Sequence, residues 1–522
     1  MPASWWTCSN KLYENMEPVR NLLHRLRSLK IERSLGYYVE IALVILRSQA
    51  LPVLAVVVVV LGMISGFLAT KLSLKITVLA IGGLIVVLST LSRPEFVILL
   101  MLVTSSSIYS RNQIPTVNVG FAFTAIELCL IFALGLIVAQ ALGNKAKPYT
   151  KTPLDLPIAL FFLASFVSML NSTLNLGTDA DLMEYQWRIL FSYLVFFAVT
   201  NLVRTRQQLL TLVTGMLVIA TIVAVLMIVQ QAVGSSVEIL PGRVQTAGVG
   251  EEDFAGVSRI RVPGESLILV MFMPAFILLI TRERLGDRSE WPLIAVTVSL
   301  FVALAFTFNR RMWAGTAMSI TAVFFLSTRD QRKNLLIFLC VLVVVSAFVI
   351  PLLNVFFPQL GAICNALYLR GISLFSGDEV KYSASWQWRV TENGYARDTI
   401  RQHLLLGVGP GNDYRPRIRL NDALTGYIHN GYYFVLVDLG IAGLLPLVWF
   451  SATFLVRGYR LWSTIQDQTF MAIALGLCLS YVTILITCVA APAFMEWYWT
   501  PVLGVMFGIN EVIYKLDSEA KA

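Results

Sequence analysis

The sequence predicts an all-α fold: a polytopic transmembrane helical bundle of about 14 spans (roughly 12–14), with a large helical loop between spans 11 and 12. Three observations predict it. Of the 522 residues, 57% are hydrophobic and 14% charged, and mean hydropathy is +0.73, whereas a soluble domain is near half apolar and a quarter charged. Apolar runs of about 17–25 residues recur along the whole chain, each long enough to cross a bilayer as a helix. The basic residues alternate in side. With the N-terminus placed inside, 23 of the 40 Lys and Arg fall in inside segments, and most of the rest lie in two long outer loops that are exempt from the orientation rule. The net charge of +9 is therefore a topology signal and does not indicate nucleic acid as a partner. Both termini are expected on the cytoplasmic side.

Taken in order, residues 1–49 lack the compact apolar stretch and small-residue cleavage site of a signal peptide. Their stretch PVRNLLHRLRSLKIERSLGYYVEIALVILR admits either an interfacial amphipathic helix or a plain basic tail. Residues 50–352 hold spans 1–11, at 50–70, 74–92, 94–109, 121–142, 154–171, 186–203, 207–230, 265–281, 291–308, 311–327 and 334–352. The third is short enough to be re-entrant. An outer loop at 231–264 interrupts this series, and a larger one covers 353–430. Loops of that length are usually functional or disordered, and Trp386, Trp388, Tyr382, Tyr395, Tyr414 and Tyr427 argue for a folded one. Within it, SWQWRVTENGYARDTIRQHLLLGVGPGND reads as a helix over 384–404 closed by a glycine turn. Residues 431–514 hold spans 12–14, at 431–456, 469–490 and 497–514, and 515–522 form a short tail. The six cysteines (Cys8, Cys129, Cys340, Cys364, Cys478 and Cys488) form no CxxC pair and read as packing residues.

Few residues carry chemistry. His24 lies in the basic N-terminal segment and His403 at the end of the loop helix; His429 stands where the long loop enters span 12. Imidazole suits proton abstraction from a hydroxyl near neutral pH, and a span end is a rigid platform at the water boundary. Asn430 and Tyr427 beside it are candidates for orienting an acceptor. In NRRMWAG, Arg310 and Arg311 fall on the outer side, where positive charge is disfavoured. They read either as a phosphate clamp or as arginines snorkelling to headgroups. Arg259, Arg261 and Arg389 are further outer arginines, whereas Arg415, Arg417 and Arg419 read as a solvated surface. GVGPGND lacks the Lys-Ser/Thr of a phosphate loop and reads as a flexible turn. Glu127 and Arg188 suit a structural pair. The first outer loop, ATKLSLK, holds no acid, and no metal-ligand spacing is present, so neither metal nor cofactor is expected.

Three of these motifs, NRRMWAG, WRVTENGYARDTIRQHLLLGVGPGND and IHNGYYFVLVDLGIAGLL, occur in the order seen in the O-antigen ligase and polymerase superfamily of bacterial surface-polysaccharide assembly, which the stretch 290–456 resembles. The resemblance implies a multi-pass protein of the bacterial inner membrane with its large loop and active site at the periplasmic face. It implies an undecaprenyl-pyrophosphate-linked glycan donor and a glycan or lipid-linked acceptor. The acceptor hydroxyl would attack with inversion and without metal. By position, His429 would act on the acceptor, Arg310 and Arg389 would hold the pyrophosphate, and Arg261 is a fourth candidate. Asn309 and Arg311 depart from the family pattern around Arg310 and leave open which arginine is the clamp.

The resulting expectation is a membrane glycosyltransferase. A span count above the ligases' favours a polysaccharide polymerase, including exopolysaccharide-type members. The alternatives are an O-antigen ligase acting on lipid A core, a protein O-oligosaccharyltransferase, and a non-enzymatic flippase for lipid-linked oligosaccharide. Membrane lipid and other polysaccharide-assembly proteins complete the expected partners.

Overall fold

The computed structural model describes residues 93–522 except 110, 115, 119–121, 144–148, 179, 235–236, 238, 241–243, 246–256, 258, 283–289, 357, 373–383 and 418–424. The N-terminal basic segment, the first two expected spans, the ATKLSLK loop, His24, Cys8 and Arg419 lie outside the described residues.

A helix occupies each of the twelve predicted span intervals that fall within the described residues. They are α1 (Glu95–Ser105), α2 (Ala125–Gly143), α3 (Asp155–Asn171), α4 (Ala180–Phe191) continuing through a 3₁₀ turn into α5 (Val195–Leu202), α6 (Arg206–Val233), α7 (Glu265–Ile280), α8 (Trp291–Phe306), α9 (Arg310–Leu326) and α10 (Arg329–Phe356). The large loop contributes α11 (Pro358–Ile372) and α12 (Ala384–Gln402), followed by α13 (Gly431–Leu461), α14 (Gln468–Thr487) and α15 (Thr500–Lys521). Among the described residues, four stretches, Asp155–Leu176, Arg206–Val233, Gly431–Thr464 and Gln468–Thr487, are long and apolar enough to cross a membrane. Strand among the described residues is confined to two ribbons: β1 (Thr116–Asn118) with β2 (Ala122–Thr124), and β3 (Val244–Gln245) with β4 (Arg259–Ile260).

The helix ends follow local chemistry. Thr205 caps α6 in a reciprocal capping box with Gln208, and Asp467 caps α14 through the Thr469 and Phe470 N–H groups. Caps of this kind are worth about 1 kcal/mol each. Helices associate by close packing, as apolar helices in lipid must. α7 packs on α14, α3 on α13, α9 on α14 and α5 on α15. Gly476 of α14 lies so close to Pro274 of α7 that a Cβ there would collide with it. Ser480 Oγ donates to Val270 O across the same interface at 2.9 Å. The expected Glu127–Arg188 pair forms at 3.6 Å.

Two loop readings are corrected. The GVGPGND stretch is a turn, but a docked one. α13 is broken at Gly440 (φ 60°, ψ −160°), and the segment after α12 fills the break. Val408 N–H donates to Val437 O (2.8 Å) and Gly409 N–H to Asp438 O (3.0 Å), while Ile441 and Ala442 N–H donate to Leu404 O and Leu405 O (2.9 and 3.0 Å). The backbone groups freed by the break are thus satisfied by a neighbouring segment, as they must be where water is scarce. Gly407 and Gly440 allow the approach, because a Cβ on either would strike the opposing backbone. Arg415 is also not a solvated residue: it is buried, with its guanidinium 4.9 Å from the Trp388 ring centroid.

Candidate active site

One end of the bundle gathers the starts of α7, α9 and α13, the residues after α14 and the loop helix α12. Asn430 is the N-cap of α13, its Oδ1 accepting the N–H groups of Tyr432 and Tyr433 at 3.0 and 3.1 Å. That engagement gives Asn430, a candidate for orienting an acceptor, a capping role through its amide oxygen. Gly431 N–H donates to Cys488 O at 2.8 Å, which pins the start of α13 to the end of α14. His429 therefore stands on a doubly anchored helix start.

Glu392 of α12 holds the histidine. Both of its carboxylate oxygens lie 3.0 Å from His429 Nδ1, and Oε2 also accepts the His429 backbone N–H at 2.9 Å. The carboxylate is buried while the imidazole is one-third exposed. A carboxylate can only accept, so Nδ1 carries the proton in the neutral ring and Nε2 presents its lone pair. The pairing fixes the tautomer and the ring plane together, as an orienting acid does in hydrolytic triads.

Arginines line the other side. Arg389 precedes Glu392 by three residues on α12 and so shares its helical face. Arg310 and Arg311 open α9, after a turn in which buried Phe308 adopts φ 50°. Arg311 Nε donates to Asn309 Oδ1 at 3.2 Å. Arg311 lies in the electrostatic field of Arg389, Tyr427, Arg261 and Glu496, and Arg389 in that of Glu392, Arg310, Tyr427 and Arg261. Burial, reinforced by Arg310 and Arg261, lowers the Arg389 pKa. Arg259 bridges from β4 to the α8–α9 turn, its Nε donating to Thr307 O at 2.8 Å. Burial first, then Arg261, Arg311 and Arg370, push its pKa down to about 9. Arg311 Nη1 and Arg389 Nε are buried with no hydrogen-bond acceptor among the described residues. Buried guanidinium donors left in this way call for an anionic ligand.

The structure brings His429, Tyr427, Arg261, Arg310, Arg311 and Arg389 to one locality, while His403 ends α12 away from it as a backbone acceptor for the Gly407 N–H. The site also holds residues that sequence reasoning passed over. Tyr427 OH donates to Glu496 Oε1 at 3.1 Å, and Tyr498 OH donates to Glu265 Oε1 at 3.4 Å. Tyr427 packs edge-on to the His429 ring at 5.1 Å. Burial raises the Glu496 carboxyl above its ordinary value, and burial next to Glu496 raises the Tyr427 phenol. Three carboxylates, Glu265, Glu392 and Glu496, thus reach the site from separate elements. Only Glu392 left a trace in the sequence, as an acid one helical turn after Arg389.

Residues 294–448 match the family model for O-antigen ligase. The match runs from α8 into α13 and includes Arg310, Arg311, Arg389, Glu392 and His429, so the resemblance read from the motifs holds over this span. It supports a membrane glycan-processing function of the O-antigen ligase and polymerase kind. No curated protein matches the chain.

Proposed function

Starting from the O-antigen ligase-like domain at 294–448, we propose that the protein is an inverting, metal-independent glycosyltransferase of the bacterial inner membrane. It works at the periplasmic face with an undecaprenyl-pyrophosphate-linked glycan as donor. His429 Nε2 takes the proton of an acceptor hydroxyl as its oxygen forms a bond to the anomeric carbon. The bond from that carbon to the pyrophosphate oxygen breaks, and its electron pair leaves with the lipid pyrophosphate. Arg311 and Arg389, flanked by Arg310 and Arg261, receive the growing charge. Preorganised cations at that position lower the barrier because they need no reorganisation during the step. Glu392 stabilises the imidazolium that results.

The observation that carries this reading is the juxtaposition of the Glu392–His429 pair with the buried donors of Arg311 and Arg389, which have no hydrogen-bond acceptor among the described residues. The acceptor we favour is a second lipid-linked glycan, which makes the protein a polymerase. Purified protein supplied with labelled donor and either a lipid-linked glycan or a lipid A core tests this directly. Growth of lipid-linked chains supports the polymerase. Consumption of lipid A core identifies a ligase, and acceptor-independent movement of the donor across liposomes removes the transferase reading.

A further inference from the structure

The end of α9 remote from the arginine cluster, roughly 25 Å away at 1.5 Å per residue, opens on a groove of about 490 Å³ between α9 and α10. Its mouth is formed by Arg329, Arg332 and Lys333, and its wall by Phe324, Leu336, Ile337 and Val341. These α10 residues recur at helical spacing on one face. The first turns of that face are cationic and the next two apolar, an order that copies a phospholipid from headgroup to acyl chain.

The cations are held differently. Arg332 donates to Phe324 O at 2.9 Å and lies 5.6 Å from the Phe324 ring centroid, so it is fixed against α9. Arg329 and Lys333 are exposed, and among the described residues neither forms an ion pair. Asp330 is the only acid between Ser327 and Val341, leaving an excess of positive charge. The wall is uncovered, with Leu336, Ile337 and Val341 about half exposed. A free phosphate would use the cations and ignore the wall; a neutral lipid would do the reverse.

We propose that this groove seats an anionic phospholipid of the bilayer, its phosphodiester on Arg329, Arg332 and Lys333 and an acyl chain along Leu336, Ile337 and Val341. The assignment is independent of glycan transfer. It is tested with the purified full chain, using phosphatidylglycerol and phosphatidylcholine that carry the same photoreactive acyl chain. Phosphatidylglycerol is expected to label the 336–341 segment well above phosphatidylcholine. The double variant Arg329→Gln/Lys333→Gln, which spares the structural Arg332, should lose roughly tenfold or more of that labelling, since each cation near anionic lipid counts. Arg460→Gln, an exposed cation elsewhere, should lose none. Cys340 is exposed in the same wall, so bound phosphatidylglycerol should also slow its alkylation. Equal labelling by the two lipids, undiminished labelling of the double variant, or complete displacement by inorganic phosphate each overturns the proposal. Matched thermal midpoints for all variants exclude loss of fold as the cause.

Discussion

Both carboxylate oxygens of Glu392 lie 3.0 Å from Nδ1 of His429, and one of them also accepts the histidine's own backbone N–H at 2.9 Å. The residues are 37 apart in the chain, so the pairing exists only once α12 has folded back onto the start of α13. Glu392→Gln keeps the shape but places an amide donor where only an acceptor suits the active tautomer. Turnover of lipid-linked donor should fall by about 10²–10⁴-fold, with the donor KM nearly unchanged. Separate measurement of kcat and KM checks the split; a pure KM effect would contradict an orienting role.

Arg311 and Arg389 should act on the chemical step. Replacing either with Gln is expected to slow transfer by about 10²–10³-fold, the usual loss on removing a preorganised donor. Arg389→Lys keeps the charge without the planar fork and should recover only part of the rate. Single-turnover rates with saturating donor distinguish this from weaker binding.

The interlock at Gly440 should be fragile. The residue sits at φ 60°, and a Cβ there would meet the Leu405 carbonyl. Gly440→Ala should cost about 1–3 kcal/mol from backbone strain alone, with more from displacement of the Leu404–Gly409 segment. A thermal midpoint lowered by several degrees checks this, and an unchanged midpoint contradicts it.

Glu496 gives a pH-dependent prediction. Burial raises its carboxyl in the folded protein, so the folded state binds this proton more tightly than the unfolded chain. That contribution to stability is complete below the ordinary carboxyl range and is lost as pH rises through the elevated value. Glu496→Gln retains an acceptor for Tyr427 and removes the ionisation. Its thermal midpoint relative to wild type should therefore improve between pH 5 and pH 8 (about the span over which most proteins are most stable). A difference that is flat or falls with pH contradicts this.

What was legible in the sequence follows from range. Helix positions are local: the run at 207–230 becomes α6, Arg206–Val233, because an apolar segment with a Thr cap and a reciprocal Gln specifies its own ends. The arginines and His429 were legible because each sits at a helix start or on a short motif. Their convergence was not, and neither was Glu392 as the partner of His429, since that contact is tertiary. Gly440 was hidden inside a continuous apolar run, where glycine is common in membrane helices. The GVGPGND turn looked flexible because its constraint comes from the broken helix opposite. Glu265 and Glu496 are isolated acids in the sequence and gain meaning only beside Tyr498, Tyr427 and Arg311.

The central claim is that His429 takes the acceptor proton. The most direct test is glycan transfer by purified wild type and His429→Ala at equal protein, with labelled undecaprenyl-pyrophosphate glycan and acceptor. A loss of about 10²–10⁴-fold in rate is predicted, with donor binding retained through the arginines. Transfer by the Ala variant at the wild-type rate would contradict the account.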